Sequence, residues 1–161
     1  LGVSLVNPTD EFISLIQQYP NAVIHVINGI LKPSDVEILS DKNLKILILG
    51  YKQLRRGGDW YSEDHENITV KQMWLKKNLE NIIEHFKVVS FDNLAIEQLE
   101  VQRLMSLEEW DEFYMGDDSE FTYFIDMVEK EFSKNSTAPL NERYDLLESV
   151  DDMFEKIRLR K

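Results

Sequence analysis

The run Ala22-Val23-Ile24-His25-Val26-Ile27, closed by Asn28-Gly29, decides the fold. Five of its six residues are apolar, most are β-branched, and a turn pair ends it too early for a helix, so it reads as a buried strand. The same strand-then-helix alternation extends in both directions. Upstream, Gly2-Val3-Ser4-Leu5-Val6 is a short apolar run stopped by Asn7-Pro8. Thr9 and Asp10 then supply cap chemistry for a stripe of Phe12, Ile13, Leu15, Ile16 and Tyr19 that Pro20 closes. Downstream, Pro33-Ser34-Asp35 opens a second helix with Val36, Ile38 and Leu39 inward. Leu44-Lys45-Ile46-Leu47-Ile48-Leu49 is a third strand ended by Gly50. After an unpatterned loop over 51–67, a long helix is expected over 69–86, followed by a strand Lys87-Val88-Val89-Ser90-Phe91 that ends at Asp92-Asn93. Short connections between such units predict parallel strands near 2–6, 22–27, 44–49 and 87–91, adjacent in that order, with right-handed crossovers. The first three strands are nearly continuous apolar runs, as expected of strands covered on both faces, and the helices are expected to cover one face of the sheet.

The rear of the chain reads differently. Two helical pieces, 94–104 and 106–113, precede a turn signal, Gly116-Asp117-Asp118-Ser119. That turn predicts a hairpin between Phe113-Tyr114-Met115 and 121–125, with a helical continuation over 127–132 as the competing reading. A loop over 133–141 and a closing amphipathic helix over 144–159 complete the chain. The expected organisation is a half-barrel of βα units over 1–104 and an acidic, α-rich extension over 105–161, within a single domain.

At 161 residues, 43% hydrophobic and 11% aromatic, the chain can bury a sizeable core. Its net charge of −12 argues against general nucleic-acid binding, which runs on Lys and Arg. The imbalance sits at the back, where residues 108–161 carry 16 acidic against 7 basic side chains. No membrane span or signal segment is present, which predicts a cytoplasmic protein. Cysteine is absent, so this polypeptide has no disulfide, thiolate metal site or thiol nucleophile. The chain begins at Leu1 and is expected to be a segment of a longer protein.

Ligands of parallel α/β sheets bind beyond the carboxyl ends of the strands. Here those ends are Asn7, Asn28-Gly29, Gly50-Tyr51-Lys52 and Ser90-Phe91-Asp92-Asn93. Asn and Asp also follow strands simply because they suit turns and caps. Lys52, Arg55 and Arg56 stand out in so acidic a chain and could hold a carboxylate or phosphate, with Gly57-Gly58 allowing close backbone approach; the alternative is a solvated loop. His25 would face a barrel lumen or lie under a helix. His65, within Glu63-Asp64-His65-Glu66, could bind a hard metal weakly, and His85 suits the end of the long helix. No P-loop, HExxH or Ser-His-Asp context is found.

The run Val89-Ser90-Phe91-Asp92-Asn93-Leu94-Ala95-Ile96-Glu97-Gln98-Leu99, with Glu109-Trp110, Phe113-Tyr114-Met115-Gly116-Asp117-Asp118 and Phe121-Thr122, resembles the C-terminal part of radical SAM proteins encoded by phages and prophages. Leu49-Gly50-Tyr51-Lys52 and Arg55-Arg56-Gly57 fit the same resemblance. It implies the C-terminal portion of a partial, TIM-like (β/α)6 barrel, with these strands as the third to the sixth. It also implies a three-cysteine loop upstream of this chain, holding a 4Fe-4S cluster that reduces S-adenosylmethionine to a 5′-deoxyadenosyl radical. On that basis the full-length protein uses S-adenosylmethionine and the 4Fe-4S cluster, while this chain alone is inactive and binds neither. The fourth-strand end implies polar groups near the ribose at His25 and Asn28. The fifth-strand pattern Gly-x-Ile-x-Gly-x-x-Glu falls on Ile46, Ile48, Gly50 and Gln53, of which Ile48 and Gly50 match. The backbone at Ser90-Phe91-Asp92 would lie near the adenine. The implied cofactor-binding residues are thus Asn28, Gly50, Ser90 and Asp92, and the substrate-binding residues Lys52, Arg55, Arg56 and Asn93, with no metal ligand on this chain. The expected partners are the rest of the barrel or another copy at an exposed sheet edge. A non-catalytic acidic interaction module is the alternative reading.

Overall fold

The computed structural model describes residues 1–5 and 7–159; Val6, which closes the first expected strand, lies outside them. The chain divides into two compact units, Leu1–Trp110 and a second beginning at Asp111. In the first, β1 (Gly2–Ser4), β2 (Val23–Ile27), β3 (Lys45–Leu49) and β4 (Val88–Phe91) form a parallel sheet in the order β1-β2-β3-β4. The pairings Val3↔Ile24, Ile24↔Ile46 and Ile46↔Val89 set one continuous row across it.

Between the strands run α1 (Asp10–Gln17), α2 (Pro33–Leu39) and α3 (Arg56–Ile83), and α4 (Asn93–Leu99) follows β4. Local chemistry starts α1 and α2 where the sequence says. The Thr9 hydroxyl accepts the Phe12 N–H, the Asp35 carboxylate accepts the Lys32 N–H, and Pro33 occupies the first turn of α2. All four helices bury their apolar stripes on one face of the sheet. Ile13, Ile16, Val36, Leu39, Leu75, Leu79, Ile82, Ala95 and Leu99 form one core with Ile24, Val26, Ile46 and Ile48.

Helices cover one face, as expected, and the other is more open. Alternation turns Val23, His25, Leu47 and Leu49 away from the helices, where they stay half-buried, while Ile27 and Val88 are 40% and 44% exposed. The continuous apolar runs thus go with helices on one face only. The stretch expected as a loop over 51–67 differs: α3 begins at Arg56. Its first turns carry Gly57, Gly58 and charged residues rather than an apolar stripe, so periodicity cannot reveal them.

The second unit is not α-rich. β5 (Phe124–Asp126), β6 (Glu131–Ser133) and β7 (Tyr144–Asp145) form an antiparallel sheet, and α6 (Val150–Arg158) supplies Met153 and Ile157 to a small core around Phe132. The hairpin lies one turn later than the Gly116 signal suggests, and the region 127–132 is turn and strand, not helix. Asp126 makes that turn, its carboxylate accepting the Val128 and Glu129 N–H groups at 3.0 and 3.2 Å. Phe113, Met115 and Phe121 are exposed and belong to no strand; Phe113 ends a short helix, α5 (Leu107–Phe113). The closing helix starts at Val150, not 144, because Ser149 caps it by accepting the Asp152 N–H.

Tyr114 in this unit offers a pH-dependent reporter. Burial, the hydrogen bond its hydroxyl donates to Asp117, and the nearby carboxylates of Glu120 and Asp118 push its pKa up to about 12. The fold therefore favours the neutral phenol. Its contribution is fully present below the ordinary tyrosine value near 10 and is lost as pH rises from there towards 12. In a spectrophotometric titration of the six tyrosines, the last ionisation is expected near pH 12 and should disappear in Tyr114→Phe. A Tyr114→Phe curve identical to that of the parent would contradict the assignment.

Candidate functional site

The C-terminal strand ends carry two different structures, one closed and one open. The closed one ties β2, β3 and α4 together. Asp92 caps α4: its Oδ1 accepts the Ala95 N–H at 2.7 Å and reaches across to accept the Gly50 N–H at 2.8 Å. Gly50 is buried, and a Cβ there would run into the Leu94 side chain and the Ala95 nitrogen. Close approach at Gly50 thus serves the start of α4 rather than a flat ligand.

Gln98 completes this clamp. Its amide oxygen accepts from Asn28 Nδ2 and from the Tyr51 N–H, both at 2.9 Å, and its Nε2 donates to the Tyr51 carbonyl at 2.9 Å. Asn28 is only 1% exposed, and among the described residues its Oδ1 has no hydrogen-bond partner. Sequence reading did not single out Gln98. The available signal was its position beside Leu99 and three residues after Ala95, on the buried edge of α4.

The open structure is a cavity of about 460 Å³ at the C-terminal ends of β1, β2 and β3, within the size range of small-molecule sites. Ser4, His25, Ile27 and Leu49 line its sheet side, Ile30, Leu31, Lys32 and Asp35 the approach to α2, and Trp60, Glu63, Asp64, Ile68 and Lys71 the α3 side. The α3 contacts recur every three or four residues, so one stripe of that helix faces the cavity. His25 stands on the sheet face opposite the helices, its ring lying over Gly2, where a Cβ would come within 2.6 Å of both Cε1 and Nε2. Apolar walls with hydroxyl, imidazole, ammonium and carboxylate groups suit a polar small molecule with an apolar part.

None of the eight residues expected to bind cofactor or substrate lines this cavity. Asn28, Gly50 and Asp92 belong to the clamp. Ser90 is exposed on the helix-free sheet face, across from Leu47. Asn93 begins α4, Arg55 and Arg56 stand exposed at the start of α3, and Lys52 is exposed just before it. Trp60, Lys71, Lys32 and Asp35 have no binding role in the sequence reading, and Glu63 and Asp64 enter it only as part of the acidic segment around His65. Trp60 was assigned to a loop, and the Trp60–Asp64–Ile68–Lys71 spacing becomes a signal only once that segment is helical.

The other histidines have local roles. His85 Nδ1 lies 3.1 Å from the Asp41 carboxylate just beyond α3, and the exposed His65 lies near Tyr61. Among the described residues no group of three or more His, Cys, Asp or Glu could hold a metal ion, and no helix is long and apolar enough to cross a membrane. A second cavity, in the rear unit, is lined by Asp117, Asp118, Ser119, Lys134, Glu142, Tyr144 and Ile157. Its polar groups largely satisfy one another or near neighbours, Lys134 with Glu142 at 3.4 Å and Asp118 with Asn135 at 2.6 Å. No family model, curated protein or solved structure matches the chain.

Proposed function

We propose that this chain is the C-terminal portion of a partial, TIM-like barrel of the radical SAM type, contributing part of the S-adenosylmethionine and substrate rim. The observation that carries this reading is the one-sided parallel sheet: helices cover one face, and the other stays half-exposed with a cavity at its C-terminal end. A barrel wall has this construction, with helices outside, the opposite face turned to the lumen, and ligand groups at the C-terminal strand ends. His25 supports it too, since it lies on the lumen-type face of the strand for which the resemblance implies a polar group near the ribose.

The cluster does not fit on these residues. Cysteine is absent, and the described residues contain no alternative metal-ligating group. The reading therefore requires the three-cysteine loop on polypeptide upstream of Leu1, and assigns this chain only binding and orientation. His25 and Ser4 supply hydrogen bonds, Lys32 and Lys71 positive charge, and Ile27 and Leu49 an apolar floor.

The test is the reading frame upstream of Leu1, which is expected to encode Cys-x3-Cys-x2-Cys. The joined protein, reconstituted anaerobically, should release 5′-deoxyadenosine from S-adenosylmethionine. His25→Ala should weaken S-adenosylmethionine binding roughly tenfold, the effect of one lost hydrogen bond. The isolated chain should retain no iron after the same treatment. A missing cysteine motif, or a stoichiometric cluster on the isolated chain, would overturn the reading.

A further inference from the structure

The first two turns of α3 differ from the rest of that helix. From Arg56 to Glu63 no side chain is buried, whereas the continuation buries Ile68, Leu75, Leu79 and Ile82. A backbone irregularity stands at each end of the segment. Arg55 precedes it at φ 51° and ψ −129°, a conformation costly for a side chain with a Cβ. Asp64 follows it at φ −142° and ψ 40°, interrupting the helix, and its carboxylate accepts from the Asn67 side-chain Nδ2 at 2.8 Å.

Tyr51 ties the segment to the end of the sheet. The buried Tyr51 donates its hydroxyl to the Gly57 carbonyl at 2.8 Å, and its ring lies 6.1 Å from that of Tyr61. Tyr51 is in turn fixed by Gln98 at both its N–H and its carbonyl. Gly57 lies so close beneath the Lys52 carbonyl that a Cβ would strike it. Trp60, 58% exposed, nevertheless lines the cavity.

We propose that residues 56–63 form a flap over the cavity, hinged at Arg55 and Asp64 and latched by Tyr51, with Trp60 as the ring it carries onto a bound ligand. The flap opens as one body because its ends are the two places where the backbone already leaves the helical path, and because it buries no side chain that must be withdrawn. Closure covers the apolar floor of Ile27 and Leu49 with the indole, so Trp60 sets a preference for a ligand with a flat or apolar face. This proposal rests on the cavity being the ligand site, but its test does not, because the motion is read without ligand.

Amide hydrogen exchange on the whole chain is the experiment. Residues 59–63 should exchange at least tenfold faster than residues 72–82 and as a single group. Tyr51→Phe should speed the flap roughly fivefold further, the effect of one hydrogen bond, while leaving 72–82 unchanged. Asp64→Ala should slow it, since alanine favours continuing the helix through the break. With fluorotryptophan in all three tryptophan positions, the Trp60 resonance alone should broaden, and it should sharpen in Asp64→Ala. Equal protection of 59–63 and 72–82, or a flap unaffected by both variants, would overturn the proposal while leaving the cavity's ligand role untouched. Loss of ligand binding with the expected exchange pattern would do the reverse.

Discussion

Asp92→Ala is expected to lower the stability of the front unit by about 3 kcal/mol. The carboxylate oxygen serves two backbone donors from different elements, the Ala95 N–H at the start of α4 and the Gly50 N–H at the end of β3. Loss of the cap costs about 1 kcal/mol. Loss of the second bond, to a charged acceptor, adds roughly 1.5–3 kcal/mol because the buried Gly50 keeps a donor with no partner. For a unit of this size the thermal midpoint should fall by roughly 15 °C. Asp92→Asn keeps a carbonyl oxygen at the same place and should lose about 1 kcal/mol. Urea unfolding of the three proteins, followed by circular dichroism, measures the order. If Asp92→Ala unfolds with the parent midpoint, the clamp is not what holds β3 to α4, and the residue is free for the ligand role that its position at a strand end suggests.

Phe132→Ala should remove the rear unit's cooperative fold at a cost of about 4 kcal/mol. Among the described residues that core has three buried side chains, Phe132, Met153 and Ile157, with Tyr123, Ile125, Tyr144, Leu146 and Leu147 packed around them. The Phe132 ring is wholly buried, stands edge-on to Tyr123 at 6.3 Å and lies tilted against Tyr144 at 5.4 Å. So small a core has no reserve from which to repack. Amide spectra should lose the dispersed signals of 124–126 and 150–158. Those of the front sheet should remain, because its core draws on no residue beyond Leu104. Retained dispersion at 124–126 would show that the hairpin is held by its Asp126 turn rather than by the ring.

The clamp and the flap mark where reading a sequence stops. Asp92 after a strand and before an apolar run is equally good chemistry for a helix cap and for a ligand's hydroxyl. Nothing local distinguishes them, because the deciding partner, the Gly50 N–H, is 42 residues away. Gly50 itself was legible as a close-approach site, but what approaches is Leu94. Trp60 falls in the stretch expected as a loop, and its place over a cavity follows from a helix that carries no apolar period to announce it.

By itself the sequence determined the elements whose code is local. Apolar runs ended by Asn-Gly, Gly and Asp-Asn mark three strands, caps such as Thr9 and the Pro33 first turn mark the helices between, and short connections place the strands parallel in chain order. It also determined that no thiolate chemistry resides on this chain. Only the tertiary structure decided which face of the sheet the helices cover, which strand-end polar groups are consumed in holding the fold, and where the rear hairpin turns. The physical reason is that a strand's alternation specifies two faces but not their neighbours. A polar side chain at a convergence of strand ends takes whichever donor or acceptor the assembled chain brings within about 3 Å.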